Sequence, residues 1–255
     1  MSVAPGDRAA QAAALNQAFT ALDPAARLAA LREASAGRIV FTSSFGIEDQ
    51  ALTHLIAQSG LDIEIVTLDT GRMFPQTYDV WAAAEQRYGL KIRAFSPARA
   101  ALEAWVAEHG INGFRETTDK RHGCCALRKL EPLSRALEGA QIWITGLRAD
   151  QSQNRADMDY VSFDAARGLI KANPLLDWTR AQVVDFTIAN DIPVNALHGH
   201  GFPSIGCAPC TRAIAPGEDE RAGRWWWEAS NKECGLHVGE DGSLVRASSD
   251  QATSP

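Results

Sequence analysis

The sequence predicts a doubly wound, mostly parallel α/β sheet, followed by an irregular C-terminal segment and a flexible tail. Three observations predict it. From residue 38 onward short apolar runs alternate with amphipathic stretches of helical length. Several of those runs open into polar loops rich in Gly, Ser, Thr and Asp, as the carboxyl edge of a parallel sheet does. Periodicity then fades after residue 192, where Gly, Pro, His and Cys concentrate. With 255 residues, 45% of them hydrophobic, the chain can bury a substantial core.

The elements follow in order. Asp23-Pro24 is an N-cap with Pro at the first helical position, leading into AARLAALREAS. Strands are expected at 38–44 (RIVFTSS), 63–69 (IEIVTLD), 91–95 (KIRAF) and 141–147 (QIWITGL). Helices are expected at about 48–58, 75–88, 98–109 and from Thr179 to about Asn190. Residues 110–123 read as a polar, broken surface connection. A helix follows the cysteine pair, and Pro132 must start, kink or end one of its segments. Beyond His237 the small, polar tail has no pattern and is expected to be mobile.

Charge and targeting signals narrow the function. The formal charge is −6 and the pI about 5.5, which disfavours nucleic acid and anionic membranes as partners. An anionic substrate would need local arginines. Residues 1–20 carry Asp7 and no continuous apolar stretch, so no signal peptide is read, and no segment approaches the roughly 20 apolar residues of a membrane span. Five cysteines, an odd number, with no export signal point to a reducing cytoplasm.

Three loops are candidates for a nucleotide. SSFGIEDQ (43–50) lies where a strand hands over to a helix, and its Ser and Gly residues with free helix N–H groups can cradle a phosphate. An ordinary turn with Glu48-Asp49 capping the helix explains the same residues. LDTGRMFPQTY (68–78) and TGLRADQSQNR (145–155) also follow strands, although Asp-Thr-Gly and Thr-Gly are common turns. Ser43, Ser44, Gly46, Leu68, Gly146 and Arg155 are the candidate binding residues of these loops.

The cysteines divide into two kinds. Cys124-Cys125 and the C-x-x-C of Cys207 and Cys210 supply four thiols in two close pairs, a set of ligands for a metal centre. A structural zinc and a thioredoxin-type disulfide at the C-x-x-C are the alternatives. Adjacent ligands suit the wider corners of an iron–sulfur cubane better than zinc. Cys234 stands apart, beside His237 and downstream of Arg221, Arg224 and Lys232, where a thiolate is stabilised. Interleaved acids (Glu218, Asp219, Glu220, Glu228) allow a solvated charged face instead. Trp225, Trp226 and Trp227 argue for partial burial and read as packing residues rather than base-stacking ones.

Together SSFGIEDQ, TLDTGRMFPQTY, CCALRKLEPL, TGLRADQS, PSIGCAPCTRAI, RAGRWWWE and KECGLH resemble the assimilatory sulfonucleotide reductases over about residues 38–237. They resemble in particular the iron–sulfur branch that reduces adenylyl sulfate (APS) with thioredoxin. The resemblance implies an adenine nucleotide alpha-hydrolase-like fold with a modified pyrophosphatase (PP) loop, and a [4Fe–4S] cluster on Cys124, Cys125, Cys207 and Cys210. It implies Cys234 as nucleophile, forming an S-sulfo intermediate, and Lys129, Arg221, Arg224 and His237 as the positive charges around the phosphosulfate. Lys129 would link cluster and substrate, and the cluster's role would be electrostatic and organisational. Because the chain ends soon after ECGLH, the electrons are expected from a separate thioredoxin.

The implied organisation is 1–36 as N-terminal helices packed on the core, 37–237 as the reductase domain, and 238–255 as the tail. The expected function is APS reduction to sulfite and AMP in sulfate assimilation, on the way to cysteine. The oligomeric state, including a homo-oligomer, is left open. Two rival readings are an ATP-dependent tRNA-thiolating enzyme with a PP loop and a non-catalytic zinc-binding module. SSFG lacks the SGGxDS-like loop of the former, whose tRNA the net acidity also disfavours. The zinc module leaves Cys234-Gly-Leu-His unexplained.

Overall fold

The computed structural model describes residues 5–152 and 155–228. Six strands, β1 (Arg38–Ser43), β2 (Glu64–Leu68), β3 (Arg93–Phe95), β4 (Ala140–Ile144), β5 (Val161–Asp164) and β6 (Leu169–Ala172), form one sheet. Their order is β3-β2-β1-β4-β6-β5, all parallel except β5, which runs antiparallel to β6. The doubly wound, mostly parallel sheet expected from the sequence is the one observed. Strand order reverses at β1, which lies between β2 and β4, and such a switch point opens a crevice at the strands' carboxyl ends.

Both sheet faces are covered, which is why β1 reads as a nearly unbroken apolar run. On one face Ile39, Phe41, Ile65, Ile142 and Ile144 pack with Ala51, Leu52 and Ile56 of helix α3 (Ile47–Ser59). The same core takes Phe19 of α1 (Pro5–Phe19) and Leu28 and Leu31 of α2 (Pro24–Ala34). Asp23 caps α2 as expected, accepting from Ala26 N at 2.8 Å. Buried Arg27 fastens this helix pair to the body. It forms a forked pair with Asp177 (2.6 and 2.9 Å), donates to Phe19 O and Pro174 O, and lies over the Tyr160 ring. On the other face Val40, Val66 and Trp143 meet Leu133 and Ala136 of α7 (Glu131–Ala136). Helices α4 (Pro75–Tyr88), α5 (Arg99–His109) and α8 (Arg180–Ala189) fall where the sequence puts them.

Three local expectations need correction. Residues 110–123 are not simply a surface connection: a short 3-10 turn (Gly113–Arg115) is followed by α6 (Thr118–Cys125), which begins before the cysteine pair. Thr117 caps α6 from its side chain, and Phe114 and Arg121 are buried. α6 runs through a π-helical turn (Ala126–Leu130) into α7, with Pro132 in the first turn of α7, where a missing N–H costs little. β3 is shorter than 91–95, because Ile92 N donates to Glu85 Oε1 at 2.8 Å instead of joining the ladder. The β5–β6 hairpin has no counterpart in the sequence reading. Among the described residues no helix is long and apolar enough to cross a membrane.

Candidate active site

A cavity of about 240 Å³ opens at the carboxyl ends of β1, β2 and β4. Its wall includes Ser43, Ser44 and Gly46 from the loop after β1, Leu68 from β2, and Gly146 and Arg155 from the segment after β4. Lys129 reaches it from the π turn, and Arg221 and Arg224 from the C-terminal segment. Every described candidate for substrate binding therefore lines one cavity. Cys234 and His237 lie outside the described residues.

The loop after β1 departs from a free phosphate cradle. Ser44 donates both its backbone N–H and its hydroxyl to Asp49 Oδ2, at 2.6 and 2.7 Å. Two donors that an anion would use are already taken by an internal carboxylate. Burial pushes the Asp49 carboxyl up to about 7, against the lowering effect of those hydrogen bonds. Gly146 is required beside it, since a Cβ there would lie 2.2 Å from Asp49 Oδ1 and 3.3 Å from its backbone N. Phe45, at φ +61 and buried, holds the turn by stacking on Trp81, with ring centroids 5.4 Å apart.

A second network ties three segments of the rim together. The fully buried Arg148 bonds Glu48 (2.8 Å), Asp150 and Glu220 (3.2 Å), and Arg180 also pairs with Glu220 at 3.3 Å. Three of the four acids interleaved with Arg221 and Arg224 are paired with arginines elsewhere, Glu218 with Arg212, Glu220 with Arg148 and Glu228 with Arg121, while Asp219 accepts from Arg221 N at 2.8 Å. Arg224 is 6% exposed and Trp225 1%, so the solvated-face alternative does not describe them. Trp225 packs inward, as expected of the tryptophans, whereas Trp226 is exposed. Gly206 makes room for Arg224, whose Nη2 would lie 2.1 Å from a Cβ at that position.

The four paired cysteines line a second, adjoining cavity together with Arg72, Arg121, Arg128, Phe114 and Pro209. Its sulfurs come from two directions. Cys124 and Cys125 close α6, while the 3-10 turn Ala208–Cys210 is held to the loop after β2 by Ala208 N to Arg72 O (2.8 Å) and Cys207 Sγ to Thr70 Oγ1 (3.3 Å). The C-terminal chain then folds back, with Arg212 N on Gly223 O and Trp225 N on Cys210 O. Burial raises the Cys124 thiol and pushes Cys210 up to about 12, so neither ionises near neutrality unless a bound cation takes the proton's place. None of the four described cysteines forms a disulfide among the described residues.

The groups around the four thiols fit an anionic centre. Arg128 Nε, Arg224 Nε and Trp225 Nε1 are buried donors with no hydrogen-bond partner among the described residues. Buried donors left unpaired are costly, and acceptor sulfurs at this place would satisfy them. Lys129, Cys207, Arg224 and Trp225 line both cavities, so the two share one wall.

Sequence reasoning did not single out Asp49, Arg148, Thr70, Arg121 or Arg128 for roles in the site. Asp49, Thr70, Arg128 and Arg148 lie inside the motifs named above, whereas Arg121 does not, and the partners of Arg128 and Arg148 come from segments distant in the chain.

Residues 38–213 match the family described as the phosphoadenosine phosphosulfate reductase domain. An adenosine 5'-phosphosulfate reductase of Sinorhizobium fredii (strain USDA 257) is 54% identical over 237 residues, covering 92% of this chain and 94% of that protein. The protein of that name from Allochromatium vinosum is 50% identical over 200 residues, 78% of each chain. The crystal structure of a phosphoadenylyl-sulfate reductase from Candida auris, a phosphate complex, superposes with a TM-score of 0.69 at 25% identity, covering 84% of this chain and 99% of that one. The match from the start of β1 to just past the C-x-x-C, and relatives of this similarity along almost the whole chain, establish the family: the protein belongs to the sulfonucleotide reductases of the phosphoadenosine phosphosulfate reductase domain family.

Proposed function

We propose that the protein reduces APS to sulfite and AMP through an S-sulfo intermediate on Cys234, resolved by a thioredoxin. The observation that carries this reading is the shared wall. Lys129 and Arg224 stand between a nucleotide-sized cavity and the four-thiol cavity, with Arg221 and Arg155 also on the nucleotide side. Relatives that are half identical and named for this substrate support it.

Thiolate and phosphosulfate are both anions, so attack requires fixed positive charge where they meet. Arg224, Lys129 and Arg221 supply it on the described side, and His237 would add to it. Cys234 Sγ attacks the sulfate sulfur, an S–S bond forms, the S–O bond to phosphate breaks, and AMP leaves with the electron pair. A thioredoxin thiolate then attacks Cys234 Sγ and releases sulfite, and its second thiol closes a disulfide that frees Cys234. The dithiol supplies both electrons. Cys124, Cys125, Cys207 and Cys210 would hold a [4Fe–4S] cluster. When bound, it would supply negative charge that fixes Lys129, Arg128 and Arg224 and ties the C-x-x-C turn to α6.

Incubation with APS and no reductant should add one sulfo group and release AMP once, with the adduct on Cys234 by mass spectrometry. Cys234→Ser should bind APS and release no sulfite. An adduct on another cysteine, or steady turnover by Cys234→Ser, overturns the mechanism. Iron, acid-labile sulfide and a visible absorption band in the purified protein test the cluster.

A further inference from the structure

One buried group in the thiol cavity is neither a thiol nor part of the substrate wall. Arg121 lies on α6, three and four residues before Cys124 and Cys125, and its side chain is 2% exposed. Its Nε donates to Glu228 at 2.6 Å, and the Glu228 side chain is itself 8% exposed. Its guanidinium also lies 4.8 Å from the centroid of the Trp225 ring, and that of Arg224 lies 4.7 Å from the same ring. One indole thus stacks with a cation from the cysteine-bearing helix and with a cation from the substrate cavity.

Two contacts, the ion pair and the stack, therefore join α6 to the chain between Trp225 and Glu228. A buried ion pair of this kind is weak evidence for stability, because desolvation offsets much of the attraction. It is better evidence for register: breaking it leaves a charge buried and unpaired, so the two segments are held in one relative position. Glu228 precedes Cys234 by six residues. Even fully extended, that span reaches about 20 Å, so where Glu228 is anchored bounds where Cys234 can go.

We propose that Arg121 is a positioning residue: it clamps the root of the C-terminal segment, at Trp225 and Glu228, to the helix that carries Cys124 and Cys125. The clamp keeps Cys234 within reach of the substrate cavity. This rests on the assignment of Cys234 as the nucleophile. A rigid anchor raises the effective concentration of a tethered nucleophile, so its loss slows sulfur transfer while leaving nucleotide affinity alone.

The test uses the enzyme with its metal centre intact. Arg121→Met keeps an apolar stem and removes the charged fork. It should retain wild-type iron and sulfide content and wild-type AMP affinity. Its single-turnover rate of adduct formation on Cys234 should fall about tenfold or more, and Cys234 should react faster with N-ethylmaleimide. Arg121→Lys, with charge but no planar fork, should fall between. If Arg121→Met loses its centre, Glu228→Gln decides, since it keeps volume and touches no thiol; it should slow adduct formation in the same way.

Wild-type adduct rates and Cys234 reactivity in Arg121→Met, or in Glu228→Gln where that variant decides, overturn the clamp. Loss of the centre in Glu228→Gln does so too, because the pair would then serve the centre rather than the segment. If the wild-type enzyme itself forms no adduct on Cys234, the mechanism above fails instead, and the alkylation rates alone judge the clamp.

Discussion

The two ends of the large cavity carry opposite charge in opposite states of satisfaction. Beside β1 the carboxylates of Asp49 and Glu48 accept from Ser44 and Arg148. Beside the thiols, Arg128 Nε, Arg224 Nε and Trp225 Nε1 are buried without acceptors among the described residues. A self-satisfied end is scaffold: it shapes the cavity and offers an anion little. An end with unmet donors is prepared for an anion outside the polypeptide, as the proposed function requires. Under the proposed function this difference gives the cavity a direction: the nucleoside goes toward β1 and its charged end toward Lys129 and Arg224.

Removing the proposed metal centre from the unsatisfied end is the severest way to break this contrast. Cys124→Ser, Cys125→Ser, Cys207→Ser or Cys210→Ser should each lose iron and sulfide together with nearly all turnover, because a hard oxygen holds such a centre poorly. Full activity in an iron-free variant would show that the buried arginines need no anion there. Next in size, Arg224→Ala and Lys129→Ala should each cost about 1–3 kcal/mol in kcat/KM for APS, as for a charge-assisted hydrogen bond. AMP binding should weaken less, since AMP lacks the sulfate; equal losses for both ligands would place these cations elsewhere along the nucleotide.

The satisfied end is probed by shape and by pH. Gly146→Ala brings a Cβ against Asp49 Oδ1 and backbone N, and thermal or denaturant unfolding should read a loss of about 1–3 kcal/mol from overpacking. A comparable effect, confined to a pH window, follows from Asp49, whose carboxyl sits near 7 when folded. The folded state holds that proton more tightly than the unfolded chain does. The penalty for ionising it is therefore absent below the unfolded value near 4, grows as pH rises toward 7, and levels off above. Wild type should lose about 2–3 kcal/mol relative to Asp49→Asn between pH 5 and pH 8. A pH-independent difference would mean that Asp49 ionises freely and that this end is not sealed.

How far the sequence revealed these features depended on whether their cause was local. β1, β2, β4 and the helices α2, α3, α4 and α8 were legible because apolar periodicity and caps such as Asp23 and Thr179 act within a few residues. α6 was hidden because its buried positions, Arg121, Cys124 and Cys125, form no aliphatic stripe. β5 and β6 were hidden because each has four residues and depends on pairing to be a strand at all.

The same division runs through the site. The sequence by itself determined the parallel sheet, the loops that line the cavity, the two cysteine pairs and the family, since each is written in contiguous residues. Only the tertiary structure decided that Ser44 spends its donors on Asp49 rather than on a phosphate. It also decided that Arg148 joins Glu48 to Glu220, and that Arg121 stacks on Trp225 and holds Glu228. Arg121 and Glu228 are 107 residues apart, and Glu48 and Arg148 are 100. A charge's role depends on which opposite charge shares its low-dielectric surroundings. Chain folding chooses that neighbour, and no local pattern records the choice.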